Sequence, residues 1–198
     1  MSAHPSVFDR DYYQRFYLDA RTAVTTAAQS RARARLIAAF VRYLDIPVRR
    51  ILDAGCGTGA LRGPLLRALP GASWLGVEAS GYLCRRFGWK RGTVQDLRVR
   101  GRFDLVVCYD VLQYLDDGEA RRAIGNLRRV CRGALYFGAL TREDWEANCD
   151  RSATDRTPWL RPGAWYRREL ERGFVPVGLG LWLHQRTPVA LWDLERAP

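Results

Sequence analysis

Lysine, histidine and long apolar runs are all scarce in this sequence of 198 residues. Because no run of about 18 consecutive apolar residues occurs, no membrane-spanning helix is expected. Residues 1–11 also lack the apolar segment of a signal peptide. The five cysteines form neither a CxxC pair nor a Cys/His cluster, which argues against a zinc site and a disulfide framework. These absences predict a cytoplasmic protein without a metal site.

The net charge of +11 at pH 7 raises the question of a nucleic-acid surface. Lys90 is the only lysine among the 32 basic residues, and the arginines are spread along the chain. Their densest stretch, Arg31, Arg33 and Arg35, occupies alternate positions, which distributes the side chains around a helix. A compositional bias towards arginine explains the charge better than a dedicated RNA-binding face, although nucleic acid stays open as a partner.

Apolar periodicity predicts helices that alternate with strands, which is typical of a parallel α/β sheet. The last two strands require an antiparallel hairpin, because the link through Thr187 and Pro188 is too short for a crossover. We predict one domain, residues 1–198, with N-terminal helices in residues 1–45 and an α/β core in residues 46–198. The predicted helices are 9–18, 25–45, 59–69, 80–87, 117–130 and 165–172; the predicted strands are 50–53, 73–78, one ending at 93–94, 103–109, 133–140, 175–184 and 189–194.

The chemistry is concentrated where the first strand turns into a helix. Gly55, Gly57 and Gly59 form a GxGxG turn, in which glycine allows positive φ and close approach of a ligand. Asp53, Glu78 and Asp96 lie at the predicted carboxyl ends of the first, second and third strands. Because the carboxyl ends of parallel strands meet at one edge, we expect a ligand site there, with a carboxylate able to hold a ribose.

A nicotinamide dinucleotide is the first alternative for such a turn. Its fingerprint is GxGxxG, and Ala60 at the third glycine position is an accepted substitute. Asp53 before the first glycine, Asp96 and the terminal hairpin all argue against this alternative.

Four segments together resemble a known family. Residues 53–59 (DAGCGTG) resemble the first motif of the class I S-adenosylmethionine-dependent methyltransferases, and Glu78 matches the acidic residue after the second strand. Residues 95–97 (QDL) resemble the adenine-contacting segment. Residues 103–107 and 109–115 (FDLVV and YDVLQYL) resemble the fourth strand and its loop. The order and spacing of these segments cover residues 50–194.

The resemblance implies a Rossmann-like, doubly wound sheet of order 3-2-1-4-5-7-6, with an antiparallel seventh strand and an N-terminal helical lid. It also implies that S-adenosylmethionine is bound and its methyl group transferred. An Asn/Asp-Pro-Pro-aromatic motif after the fourth strand is absent, which disfavours methylation of nucleic-acid bases. The expected cofactor contacts are Asp53, Ala54, Gly55, Cys56, Gly57, Glu78, Ala79, Gln95, Asp96, Leu97, Tyr109, Asp110 and Tyr17.

Methyl transfer from a sulfonium is an in-line displacement, which depends on alignment and exclusion of water more than on a base. The candidate groups near the methyl are Tyr13, Tyr114 and His184; the other histidine, His4, lies near the N-terminus. The first helix carries Tyr12, Tyr13, Phe16 and Tyr17. These aromatic side chains predict either a lid over the cofactor or a packed edge of the core.

The segment 141–163 is predicted to be a long loop that contacts the acceptor. It and the residues just after it are rich in tryptophan and arginine, which suits a planar or anionic small molecule. A small-molecule methyltransferase is therefore our prediction, and an enzyme acting on RNA or protein, or a cofactor-binding protein without catalysis, are the alternatives. The candidate contacts are Trp145, Asn148, Asp150, Asp155, Arg156, Trp159, Arg161, Trp165, Tyr166 and Arg167.

Overall fold

The computed structural model describes residues 8–18, 25–150, 154 and 158–197. Their centre is a seven-stranded sheet of order β3-β2-β1-β4-β5-β7-β6, so the predicted order is confirmed. Strand β7 runs antiparallel to both of its neighbours, and the pairs among β1 to β5 are parallel. The strands are β1 Arg50–Ala54, β2 Ser73–Glu78, β3 Lys90–Arg91, β4 Phe103–Tyr109, β5 Cys131–Gly138, β6 Phe174–Gly178 and β7 Leu181–His184.

Helices cover both faces of the sheet. The first helical segment, α1, continues directly into a π-helical turn at Gln14–Leu18. Among the described residues, no helix is long and apolar enough to cross a membrane. The α-helices are α1 Arg10–Tyr13, α2 Ala27–Tyr43, α3 Arg62–Ala68, α4 Gly81–Phe87, α5 Asp117–Val130, α6 Arg142–Ala147 and α7 Gly163–Leu170.

Alternation along β4 divides the apolar core into two layers. Leu105 and Val107 point towards α2 and α3, where they join a cluster containing Ile37. Val106 and Cys108 point the other way, into a cluster with residues of α5 and α7. A strand that is buried on both sides reads as a continuous apolar run, which is why the sequence predicted β4 so clearly.

Side-chain caps fix the starts of the helices. Thr26 and Gln29 form a capping box at α2, and Asp116 and Glu119 form another at α5. The predicted N-cap Ser80 is confirmed, since its hydroxyl accepts from the Leu83 N–H. This cap places the start of α4 immediately after the carboxyl end of β2.

Three predicted strands differ from the structure. Strand β3 ends at Arg91 rather than at residues 93–94. The Thr93 hydroxyl accepts from the Asp96 N–H at 3.3 Å, and this local turn replaces the sheet ladder. The terminal hairpin turns at Leu179, where the backbone takes a positive φ of 53°, and the flanking glycines do the same. Residues 175–184 are therefore two strands, and residues 189–194 are not a strand but lead into a 3₁₀ turn.

The predicted acceptor loop is partly helical and partly structural. Helix α6 lies within it, and Arg161 is only 5% exposed. Its guanidinium pairs with Asp117 and donates to the carbonyls of Leu112 and Leu115. Arg161 thus holds the loop after β4 in place, and its predicted contact with an acceptor is wrong.

Candidate functional site

The glycine turn after β1 adopts a backbone that only glycine takes without strain. Gly55 has φ +82°, and a Cβ there would lie 2.3 Å from a methyl group of Val111. Gly57 has φ +52°, and a Cβ there would meet no atom within 4 Å. The turn therefore packs tightly against the loop after β4 at Gly55 and leaves open space beside Gly57.

Glu78, at the end of β2, ties this turn to two other segments. Its carboxylate accepts from the Gly57 N–H at 2.9 Å and from the Ser80 N–H at 2.8 Å. The Tyr13 hydroxyl also donates to it at 3.3 Å. Because the side chain is only 5% exposed, these bonds fix its position at the mouth of the turn.

Asp53 is a second buried carboxylate at the same edge of the sheet, 4% exposed. Burial, and next the charge of Glu78, raise the pKa of Asp53 to about 7. Within the described part of the chain, neither Asp53 nor Glu78 forms an ion pair. The site therefore holds two buried acidic groups that a cationic ligand would stabilise.

A large cavity of about 620 Å³ opens at the carboxyl ends of the strands. This volume suits a nucleoside-sized ligand with room to spare. The described residues contain no group of three or more His, Cys, Asp or Glu residues placed to hold a metal. The residues of the predicted site that line this large cavity are Asp53, Gly55, Cys56, Gly57, Glu78, Ala79, Gln95, Tyr109, Asp110, Tyr13, Tyr17 and Tyr114.

Three predicted cofactor contacts lie outside this lining. Ala54 and Leu97 are buried in the core, and Asp96 is exposed in the turn that its backbone forms with Thr93. The predicted position of Asp96 at the end of the third strand was wrong, because β3 ends five residues earlier. Gln95 does line the cavity. The Asn126 amide holds this segment in place by donating to the carbonyls of Val94 and Gln95 at 3.0 and 2.9 Å.

His184 lies at the opposite edge of the sheet, so its predicted place near the methyl is wrong. Because β7 is antiparallel, its last residue pairs with Phe174, the first residue of β6. The His184 Nδ1 accepts from the Arg186 N–H at 3.2 Å, and burial lowers the pKa of the ring. His4 falls outside the described residues.

Four residues of the N-terminal aromatic segment, residues 8–17, line the large cavity: Phe8, Tyr12, Tyr13 and Tyr17. Tyr13 reaches Glu78, the Tyr12 and Tyr114 hydroxyls lie 3.2 Å apart, and the Ser80 hydroxyl donates to the Phe8 carbonyl at 2.6 Å. Burial, and next the charge of Glu78, raise the pKa of Tyr13 well above its ordinary value. Tyr13 is therefore a neutral phenol at physiological pH and cannot act as a base.

A small cavity of about 270 Å³ adjoins the large one, and sequence reasoning missed two residues that line it, Arg33 and Gln113. The Arg33 guanidinium stacks 4.0 Å from the centre of the Tyr109 ring. It also donates to the hydroxyls of Tyr109 and Tyr136 at 3.0 and 3.1 Å. The alternating arginines were interpreted as distributed around the helix, and no sequence signal separated Arg33 from its neighbours.

Gln113 is 4% exposed, and its Oε1 has no hydrogen-bond partner among the described residues. Its side chain forms a hydrogen bond to Asp110, a non-glycine residue with φ +56°. Burial raises the pKa of Asp110 to about 6, and Arg33 and Gln113 oppose that rise. The loop after β4 thus contributes Asp110 and Gln113 to the lining of the small cavity.

Most of the residues in segment 141–163 that were predicted to contact the acceptor line neither cavity. Trp145, Trp159 and Trp165 line neither cavity, and Trp165 packs against Arg161 at 4.9 Å. Trp159 is 39% exposed, and its backbone N–H donates to the backbone carbonyl of Gln113 at 2.6 Å. Of the segment 141–163, Thr154 lines the small cavity, while Asp155 and Arg156 fall outside the described residues.

Comparison with known proteins finds that the chain is similar to methyltransferases. A family model described as a methyltransferase domain matches residues 51–133. A malonyl-[acyl-carrier protein] O-methyltransferase from Magnetococcus marinus is 32% identical over 139 residues, which cover 61% of this chain and 50% of that protein. Nodulation protein S from Rhizobium tropici is 34% identical over 116 residues, 53% of this chain and 47% of that protein. The chain thus spans about half the length of these curated relatives.

A solved structure shows the same fold over nearly the whole chain. Magnesium protoporphyrin IX methyltransferase from Synechocystis PCC 6803, with bound SAM, superposes with a TM-score of 0.62 at 18% identity. The match covers 93% of this chain and 99% of that one. At this identity the likeness establishes the fold, and the chemistry has to be argued from the site.

Proposed function

We propose that this chain is a class I S-adenosylmethionine-dependent methyltransferase and transfers the methyl group of S-adenosylmethionine to a small-molecule acceptor. The match of residues 51–133 to a methyltransferase-domain family supports this proposal. The buried pair Asp53 and Glu78, which has no basic partner among the described residues, carries this proposal. S-adenosylmethionine brings two positive groups, a sulfonium and an ammonium, together with a ribose diol. Its charge and its hydroxyls complement the two carboxylates at the glycine turn.

The lining suggests how the cofactor is oriented. We place its amino-acid end at Gly55 and Gly57, near Asp53, because the open space beside Gly57 admits a ligand against the backbone. Glu78 is assigned to the ribose. The adenine is assigned to the segment ending at Gln95, which Asn126 holds in place.

The residues of the chain contribute alignment and exclusion of water. When bound, S-adenosylmethionine supplies an already activated methyl group. The aromatic segment 8–17 shields the cavity from solvent, and Tyr17, Tyr109 and Asp110 line the side where the methionine part would lie. Held in line and kept dry, an acceptor can gain several powers of ten in rate without a strong base.

The first prediction tests the ribose assignment. Glu78→Ala is expected to weaken S-adenosylmethionine binding by about 1–3 kcal/mol, which is five- to 150-fold, because a hydrogen-bonded charge is lost. Isothermal titration calorimetry measures the change, and circular dichroism checks that the variant is folded. Glu146→Ala, at an exposed position, is the matched control. Unchanged affinity in a folded Glu78→Ala protein contradicts the assignment.

The second prediction concerns the RNA alternative. Some arginines at the surface are already engaged within the chain: Arg50 stacks on Phe103 at 4.5 Å, and Arg132 pairs with Asp104 at 2.7 Å. We therefore expect only weak binding to a short single-stranded RNA, with an affinity that falls steeply as salt rises. Fluorescence anisotropy across a salt series measures it. Nanomolar binding at physiological salt would place RNA ahead of small molecules as the acceptor.

Catalysis itself is tested by a turnover screen. A metabolite library is incubated with the protein and S-adenosylmethionine, and S-adenosylhomocysteine is quantified. An enzyme releases it with a subset of compounds, whereas a protein that binds the cofactor without catalysis binds S-adenosylmethionine and releases none.

A further inference from the structure

We propose that the edge of the sheet opposite the large cavity is a docking surface for an acidic helix of a partner protein. The surface is a row of arginines, one at the same edge of each of five neighbouring strands, and we call it the arginine row. This inference is independent of the chemistry at the glycine turn. In the sheet order β1-β4-β5-β7-β6, the members of the row are Arg50, Arg102, Arg132, Arg186 and Arg172.

The directions of the strands bring these five arginines to one edge. Arg50 begins β1, Arg102 immediately precedes β4, and Arg132 is the second residue of β5. Because β7 runs antiparallel, Arg186, which follows its end, returns to the same edge, and Arg172 lies just before β6. These positions are far apart in the sequence, so the charge looked dispersed along the chain although the fold gathers it.

Hydrogen bonds to backbone carbonyls hold the row in place. The Arg50 guanidinium donates to the carbonyls of Arg100 and Arg102, both at 3.0 Å. The Arg102 Nε donates to the Arg129 carbonyl at 3.3 Å, and its two terminal nitrogens have no hydrogen-bond partner among the described residues. A guanidinium fixed in this way loses little freedom on binding and can pair with a carboxylate through both terminal nitrogens.

The row keeps an excess of positive charge. Arg132 and Arg172 each pair with a buried carboxylate, at 2.7 and 3.0 Å. The other three members form no ion pair within the described part of the chain. Burial, and next the charges of Arg102 and Arg186, lower the pKa of His184, which lies beside them. This edge therefore attracts a negatively charged partner.

The spacing of the row matches that of side chains along an α-helix. Neighbouring strands lie about 4.8 Å apart, so five strands span about 19 Å. Side chains four residues apart on a helix are about 5–6 Å apart, and about 13 residues cover the same length. A helix with acidic side chains along one face can therefore meet one arginine after another while both partners stay rigid.

Single-stranded RNA and membranes need more than positive charge. Unpaired bases stack on aromatic side chains, and helices that bind membranes insert apolar ones. None of the exposed large apolar side chains among the described residues belongs to a segment of the arginine row. These exposed side chains are Tyr43, Trp159, Leu179, Trp192 and Leu194. The row is therefore suited to carboxylates on a protein rather than to RNA or lipid.

The test uses a fluorescent alanine-based peptide of about 15 residues with glutamate at every fourth position. It is titrated into the full chain and followed by anisotropy, with a glutamine peptide of the same pattern as the matched control. We expect the glutamate peptide to bind at least tenfold more tightly, and its affinity to fall as salt rises. A peptide with the same glutamates and a central proline, which breaks the helix, should bind about tenfold more weakly.

Three results overturn the proposal. The first is equal binding of the glutamate and glutamine peptides. The second is equal binding of the glutamate peptide and its proline variant, which would show attraction by charge alone. The third is tighter binding of a short single-stranded RNA, or of phosphatidylserine vesicles, than of the glutamate peptide.

Two double variants locate the surface. Arg102→Gln with Arg186→Gln should weaken the glutamate peptide about tenfold and leave S-adenosylmethionine affinity unchanged, because the row and the large cavity lie at opposite edges. Arg35→Gln with Arg122→Gln removes the same charge from exposed helix positions outside the row, and peptide affinity should stay near that of the unsubstituted chain. Circular dichroism checks folding, and Arg186→Gln alone decides if the first double variant unfolds. Equal losses in both double variants contradict the arginine row.

Discussion

Asp53→Asn is expected to abolish most of the affinity for S-adenosylmethionine and, at the same time, to stabilise the protein. The carboxylate is buried without a basic partner, so its charge is costly in the free protein and valuable once a cation is bound. We expect binding to weaken by about 3–5 kcal/mol, which is more than a hundredfold. At pH 8 the free protein should gain about 2 kcal/mol, a rise in Tm of roughly 4–8 °C.

Asp53 makes both the stability of the free protein and its affinity for the cofactor depend on pH. Because the pKa of Asp53 rises from 3.8 to about 7 on folding, the folded state binds this proton more tightly than the unfolded state. The stability that Asp53 contributes is thus present below pH 4 and is lost as pH rises through 7. Cofactor affinity changes in the opposite direction and rises through the same range, since the cation favours the ionised carboxylate.

Isothermal titration calorimetry at pH 6 and pH 8 measures the affinity for S-adenosylmethionine, and thermal unfolding at the same two pH values measures stability. Asp96→Asn is the contrast, because Asp96 is exposed and lies outside the cavity, so both quantities should stay near those of the unsubstituted chain. A gain in stability without a loss of affinity in Asp53→Asn would show that the carboxylate does not face the cation.

Removing the aromatic N-terminal segment should cost turnover far more than it costs structure. A chain without residues 1–21 keeps every strand of the sheet, so its circular dichroism should stay near native. The cavity loses Phe8, Tyr12, Tyr13 and Tyr17 from its lining, and Glu78 loses one hydrogen bond. We expect cofactor affinity to fall about tenfold and turnover about a hundredfold, because water enters and alignment is lost.

Point variants resolve which contact matters. Tyr13→Ala and Tyr114→Ala should each slow turnover about a hundredfold, which is a larger effect than either has on stability. Tyr43→Ala, at a site that is 71% exposed, is the control. If the truncated chain unfolds, and its cofactor affinity is unchanged at temperatures where it is folded, then the segment is core packing and the lid is refuted.

The sheet order was predicted from the resemblance to the methyltransferase family, and much of the large cavity was predicted from local signals in the sequence. Gly55 and Gly57 must take positive φ, and Asp53 and Glu78 follow directly from strands that are buried and easily recognised. Since parallel strands end at one edge, their order along the chain was enough to bring these residues together.

What the sequence could not predict depends on contacts between distant residues. Arg161 in the acceptor loop and Arg33 in α2 carry the same side chain, yet one holds backbone carbonyls and the other stacks on Tyr109. His184 was misplaced because the hairpin turns at Leu179, where two glycines allow a left-handed backbone that the apolar pattern of residues 175–184 conceals.

The two outer strands of the sheet have a consequence for how molecules of this protein meet. Strand β3 is two residues long and consists of Lys90 and Arg91, both exposed. On the far side, β6 contains Pro176, which has no N–H to offer, and its register shifts beside that residue. Short, charged or interrupted edges are poor templates for β-pairing between chains. The sheet is therefore protected at both margins against edge-to-edge aggregation.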